Sequence, residues 1–521
     1  MNKVYLLVKL GHVRQICHCR YFHYKNLLPS IDENTLKNVK PYGDIPGPKA
    51  IPFLGNTWRF IPFIGDFQIQ HIDKVSLKLS QKYGKIVKVD GLLGRPDMVF
   101  LFDPDEIQNI FRREDHLPLR PSMPSLDYYK HTLRKDFFSD TGGVIAVHGE
   151  QWQQFRSKVN QIMLQPRSAK IYTEVISDIA DEFVQRVSKI RNRNCEVPDD
   201  FLNEIHRWSL ESLAQIALDI RMGCLEDSPS EDTQNLIDAI NIFFINVPIL
   251  ELKIPFWRIF NTPTFRRYIQ ALDCIKEICL KYINKSMENL NMDKPESQMS
   301  VIQKVLKENP IKVASILALD LFLVGVDTTS NAVASILYQL SINPEKQELL
   351  HEEILEKLPT TDAKLTTEKL EAMIYLKACI KETMRMYPVV IGNGRQTSSD
   401  VIISGYHVPK GVQVIFQHYV ISNQEEYFTR ARDFIPERWL KNHMAFKEHH
   451  PFASLPFGFG KRMCLGKRFA ELEIQTLIAK IMRTYKVEYH YKKLDYHIHP
   501  MYTPNGPLKL RFIKRNDEPL K

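Results

Sequence analysis

The longest unbroken helical pattern in the chain runs from Ile311 to about Leu340, and it sets the scale of the fold. Pro310 stands before it and Asn343-Pro344 after it, residues that open and close helices. At about 1.5 Å per residue such a rod is about 45 Å long, enough to cross a whole domain. Helical periods dominate from about Gln151. A second strong helix covers roughly Thr366–Met386 and ends at Pro388, and a third runs from Cys464 to about Tyr485. Strand-like alternation is confined to Lys85–Val89, Met98–Phe102 and short pieces within 389–457, and Asn505-Gly506 reads as a hairpin turn. Pro41–Pro52 is rich in Pro and Gly and reads as a rigid lead-in. No repeat or low-complexity linker intervenes. Residues 41–521 therefore read as one mainly α domain with a small β region. With 521 residues, 44% hydrophobic and 25% charged, the chain can enclose a cofactor and is not disordered.

Five of the charges behind the net +9 lie in the first 31 residues: Lys3, Lys9, Arg14, Arg20 and Lys25, with no acid before Asp32. The rest of the chain is close to balanced and predicts no nucleic-acid face. The apolar run Val4–Val8 is too short for a membrane span or a secretory signal. A basic, acid-free, amphipathic leader is the pattern of a mitochondrial presequence, assigned here to residues 1–40. The eight cysteines form no CxxC pair, so neither a zinc ribbon nor a disulfide framework is expected.

Phe457–Gly466 reads FGFGKRMCLG. Cys464 precedes a helix whose N-terminal amides and dipole favour a thiolate. Gly458 and Gly460 permit a tight turn that brings backbone N–H groups to the sulfur. A lone Cys before a helix is usually structural, but Phe-x-x-Gly-x-Arg-x-Cys-x-Gly is far more specific. It resembles the haem-binding loop of the cytochrome P-450 family. The resemblance covers about residues 41–515 and implies haem b with Cys464 as axial ligand, Arg462 toward a propionate, and Phe457 against the haem.

Further segments are similar to the family in the same order. Glu382-Thr-Met-Arg385 matches its Glu-x-x-Arg pair, on one helix face by spacing, and Arg438, in PERW, matches the arginine that joins it in a structural network. Val324-Gly-Val-Asp-Thr-Thr329 resembles the oxygen-activation motif: Gly325 lets the helix pass close to haem, Thr328 bonds dioxygen, and Asp327 relays protons. O–O scission needs ordered protons, hence a hydroxyl beside a carboxylate. Trp152 and Arg156, one turn apart, suit a propionate; as a lone pair they would equally be packing. Arg395 and His116 are further haem contacts by resemblance.

The leader and the stretch LKACIKETMRMYP resemble mitochondrial members. These draw electrons from NADPH through ferredoxin reductase and an acidic 2Fe-2S ferredoxin. Lys377, Lys381, Lys467 and Arg468 are the expected docking cations. IGNGRQT, PKGVQVIFQHYVISN and HPFASLPFGFGKRMCLG are similar to arthropod mitochondrial members, the ecdysteroid 22-hydroxylase type above all, which implies a sterol substrate. Substrate regions are expected near His116–Val147, Ile316–Thr328, Val389–Gln396 and Met501–Pro504, and a peripheral inner-membrane contact near Trp58–Ile64 and Phe243–Phe256. Three alternatives stay open: another mitochondrial ecdysteroid hydroxylase or xenobiotic monooxygenase; a haem-thiolate isomerase or dehydratase; and a sterol-binding haem protein without turnover.

Overall fold

The computed structural model describes residues 38–360, 362–498 and 501–515, so the basic leader lies outside the described residues. Eleven helices of nine residues or more occur among the described residues: α1 (Ile72–Tyr83), α2 (Pro104–Arg112), α3 (Gly149–Leu164), α4 (Thr173–Ile190), α5 (Phe201–Leu218), α6 (Glu231–Leu252), α7 (Pro263–Glu288), α8 (Ile311–Ser341), α9 (Pro344–Lys357), α10 (Ile374–Met386) and α11 (Lys467–Thr484).

The long rod α8 is buried along most of its length, because apolar and small residues face outward on every side of it. It packs on α5 and α7, and more lightly on α10 and α11. Helix α6 is apolar enough for a membrane span by length and composition, yet its Leu236, Ile240, Phe243 and Phe244 are buried in the main core.

The β part is small. Ile86–Val89 (β1), Met98–Leu101 (β2), Asn393–Gln396 (β3) and Gln413–Phe416 form one sheet, with Val401–Ile403 (β4) and Tyr406–Val408 (β5) as a separate hairpin, so that Gln413–Phe416 is β6. The sheet order is β1-β2-β6-β3, antiparallel except for the parallel pair β2/β6. The register sets Arg395 opposite Val414 and Asn393 opposite Phe416. Two further pairs close the chain: Tyr485–Glu488 (β7) with Arg511–Lys514 (β10), and Tyr496–Ile498 (β8) with Tyr502–Pro504 (β9).

Three expectations change. The helix expected over Thr366–Met386 is two helices, Thr367–Ala372 and α10, broken at Met373. The carboxylate of Glu353 on α9 accepts from the Tyr375 and Leu376 N–H groups at 2.7 and 2.9 Å. This tertiary cap starts a new helix there. Helix α11 begins at Lys467 rather than Cys464, with Gly466 as its N-cap. Asn505-Gly506 does turn the chain, but the strands on either side pair elsewhere, β9 with β8 and β10 with β7.

Candidate functional site

An interior cavity of about 350 Å³ lies between α8, α3, α11 and the 455–466 loop, a size usual for small-molecule sites. Cys464 borders it. The residue sits deep within the protein, and its surface is reachable only because it faces this cavity. Its loop is held by the Cys464 N–H donating to Phe457 O at 2.9 Å and by left-handed Gly458 and Gly460, with φ of 68° and 75°. Burial pushes the thiol pKa up, against the Gly466 N–H and the charges of Arg156, Arg120 and Lys467. The balance favours the thiol unless a cation binds the sulfur.

One side of the cavity is rich in guanidinium groups. Arg462 donates to Pro118 O (3.1 Å) and Val147 O (2.9 Å) and stacks 3.6 Å from the Trp152 ring centroid. Its Nη2 is buried with no partner among the described residues. Burial and the charges of Arg120, Arg395 and Arg156 lower its pKa to about 9. Arg156 donates to Asn160 Oδ1 (2.6 Å) and Met463 O (2.9 Å), and burial lowers it to about 10. Arg395 stands behind the lining, paired with Glu114. Mutual repulsion in a buried space calls for anions. A flat apolar group with two carboxylates and a metal centre for Cys464 answers that need, so these residues fit haem b.

Arg120 lines the same wall and escaped the sequence reading. Its only signal was a lone base between Pro118 and Pro121. His116 does not reach the cavity: it is exposed, its N–H bonded to Asp115 Oδ1 at 2.6 Å. Arg120, four residues on, lines the cavity and His116 does not.

On the α8 wall stand Val324, Gly325 and Thr328. The Thr328 hydroxyl donates to Val324 O at 2.8 Å. A Cβ on Gly325 would meet Leu213 of α5 at 3.2 Å, so the glycine serves helix packing as well as space in the cavity. Asp327, the next side chain round the helix, faces away from the cavity. It is buried, and its Oδ1 lies 3.1 Å from His206 Nε2 on α5. The expected hydroxyl and carboxylate are therefore neighbours in sequence but lie on different faces of α8.

Glu382 is fully buried and accepts five hydrogen bonds: two from Arg385 (2.9 and 2.8 Å), one from Arg438 (3.0 Å), one from Trp439 Nε1 (2.9 Å) and one from the Ile435 N–H (3.1 Å). The three residues expected to form a network do meet, and Trp439 completes it.

Behind the Cys464 loop opens a cleft of about 460 Å³, lined by Lys170, Lys377, Lys381, Lys467 and Arg468 with Glu371 and Glu471. Lys381 is exposed; Lys377 is half-buried, bonded to Glu371 O at 2.8 Å, and its pKa is lowered by burial. Lys467 and Arg468 both reach Glu471, at 3.9 and 3.5 Å. Leu455–Gly458, Phe457 among them, line both this cleft and the cavity, so one thin wall separates them.

The sequence profile described as Cytochrome P450 matches residues 45–512. Probable cytochrome P450 49a1 of Drosophila melanogaster is 48% identical, over 92% of this chain and 84% of its own length. Probable cytochrome P450 301a1, mitochondrial, of the same fly is 48% identical over 92% and 88%. Probable cytochrome P450 12a5, mitochondrial, is 38% identical over 91% of each. With a cysteine facing an arginine-walled cavity beneath a threonine-bearing helix, and with relatives spanning nearly the whole chain, the protein belongs to the cytochrome P450 family.

Proposed function

We propose that this monooxygenase takes its electrons from an acidic mitochondrial ferredoxin and hydroxylates an apolar, sterol-sized substrate. The observation that carries the reading is the thin wall at Leu455–Gly458, with the Cys464 cavity on one side and the basic cleft on the other. A small acidic donor seated in the cleft would stand close to the cysteine loop, and complementary charge steers such brief encounters. Several relatives are named mitochondrial, which agrees with the basic presequence proposed for residues 1–40.

Haem, when bound, supplies the activation of dioxygen and the transfer of one oxygen atom to the substrate. The chain supplies the rest. Cys464 donates the thiolate, its charge steadied by the Gly466 N–H and Arg156. Arg462, Arg156 and Arg120 take up carboxylates, with Trp152 holding Arg462 flat. Thr328 offers a hydroxyl on the substrate side, and Asp327 a carboxylate behind it.

The finer reading is side-chain hydroxylation of an ecdysteroid precursor at carbon 22, carried by the similarity of IGNGRQT, PKGVQVIFQHYVISN and the Cys464 loop to that enzyme type. None of the three relatives above carries this activity in its name. Phe53, Phe63 and Ile64 are exposed, as are Phe256, Ile259 and Phe260. The 91–95 loop bridges the two groups, with Gly55 against Gly91 and Arg95 donating to Leu250 O at 2.7 Å. These two groups, rather than the buried Phe243, suit a peripheral bilayer contact that would admit lipophilic substrates.

The test is reconstitution of the holoprotein with mitochondrial ferredoxin, its reductase and NADPH on a panel of late ecdysteroid precursors, with the new hydroxyl located by NMR. A hydroxyl at carbon 22 supports the finer reading. Ferredoxin-driven turnover of foreign lipophiles alone would move the substrate class and keep the electron route. A need for a flavoprotein reductase instead would overturn the route.

A further inference from the structure

The contact between Asp327 and His206 joins α8 to α5 in the middle of the core. The two side chains are buried, 1% and 4% exposed as residues, and meet at 3.1 Å through Asp327 Oδ1 and His206 Nε2. Oδ2 of the same carboxylate is buried and has no partner among the described residues. His206 is thus the polar group that holds this carboxylate. The nearest charges on α5 are engaged elsewhere: Glu204 pairs with Arg207 at 3.3 Å and with Arg186 of α4, and Arg207 also donates to Gln234 at 3.3 Å. None of them contacts Asp327.

A buried carboxylate is costly without such a partner. In the arrangement shown it does not line the cavity, and its side-chain contact is with His206 on α5. On that side an imidazole can accept a proton at one ring nitrogen and release one from the other. We propose that His206 is the positioning residue for Asp327: it fixes the carboxylate on the α5 face of α8 and passes protons to it. One proton enters the ring at Nδ1 as one leaves Nε2 for Oδ1, so the exchange balances without any redox partner. The inference rests on the reading of Asp327 as a proton carrier for the reaction at Thr328.

The experiment compares His206→Phe, His206→Gln and Asp327→Asn as holoproteins. The rate of NADPH-driven oxygen consumption is measured against ferredoxin concentration, in water and in deuterium oxide, after each carbon monoxide spectrum has been matched to the parent. Replacing His206 by Phe should lower the maximal rate by about 10- to 100-fold, leave the half-saturating ferredoxin concentration unchanged, and raise the solvent isotope effect. Glutamine keeps an N–H for Oδ1 but cannot exchange protons, so its rate should lie between, with the raised isotope effect retained. A normal rate in His206→Phe beside a slow Asp327→Asn would overturn the role of His206 alone. A normal rate in Asp327→Asn would overturn the reading of Asp327 and this inference with it. Should the Phe variant fail to fold, a Gln variant with parental rate and isotope effect overturns the proposal.

Discussion

Lys130 and Asp320 form a buried ion pair, Nζ to Oδ1 at 2.8 Å, that ties the loop ahead of α3 to α8. The lysine also donates to Gly142 O and Ile145 O, and the second carboxylate oxygen accepts from the Val144 N–H at 2.7 Å. Gly143 leaves room for this: a Cβ there would lie 2.2 Å from Asp320 Oδ2. Val144, Ile145 and Ala146 line the cavity, so the pair fixes part of its wall. Removing one partner strands a buried charge, at a cost of about 3–5 kcal/mol. Lys130→Met should lower the thermal midpoint and weaken substrate-induced spectral shifts, while Lys130→Met with Asp320→Leu should recover much of the stability. A single variant as stable as the parent would show that the loop is held by other contacts.

Cys464→Ser should abolish the thiolate-type carbon monoxide spectrum while the fold, judged by circular dichroism, survives. A serine oxygen is a poor substitute for a polarisable thiolate at iron. Retention of the parental spectrum would remove Cys464 as ligand.

The motif residues were legible in the sequence because each sits within a short run whose spacing defines its surroundings. FGFGKRMCLG contains its own turn and its own N–H donors, and Glu382 and Arg385 need only one helix face. What the sequence could not reveal depends on contacts between distant segments. Glu353 capping α10, Lys130 reaching Asp320 and His206 holding Asp327 each join residues 22 to 190 positions apart. No local period encodes them. His116 was misplaced for the same reason: position in a loop says little about which side chain turns inward, and Arg120 does.

Glu382→Ala should be more damaging than any single arginine change in its network. It would leave Arg385 buried without a counter-charge, together with the Arg438 and Trp439 donors. A loss of about 3–5 kcal/mol should appear as low holoprotein yield and a depressed thermal midpoint. Wild-type stability would mean that Ser422 O, 2.7 Å from Arg385 Nη1, suffices to hold the arginine.

In the basic cleft the two lysines of α10 should not be equal. Lys381 is exposed, whereas Lys377 is half-buried and spends a hydrogen bond on Glu371 O. Lys381→Glu should raise the half-saturating ferredoxin concentration about tenfold at low salt, with a smaller rise at high salt, and Lys377→Glu should do less. Haem content should stay unchanged in both. Salt-independent affinities equal to the parent's would exclude this face as the docking site.

Glu473 of α11 lines the cavity, fully buried, with Oε1 lacking a partner among the described residues. Burial raises its pKa from 4.5 to about 8. Between these values the folded protein holds a proton that the unfolded chain has released, so stability falls as pH rises through that window and levels off above it. The slope from this one group is on the order of 1 kcal/mol per pH unit. Glutamine keeps the shape and cannot ionise. Glu473→Gln should therefore match the parent near pH 5 and exceed it increasingly toward pH 8, read as the difference in thermal midpoint at each pH. Midpoints that run parallel across the range would mean that Glu473 is charged in the folded protein, with a partner that neutralises it.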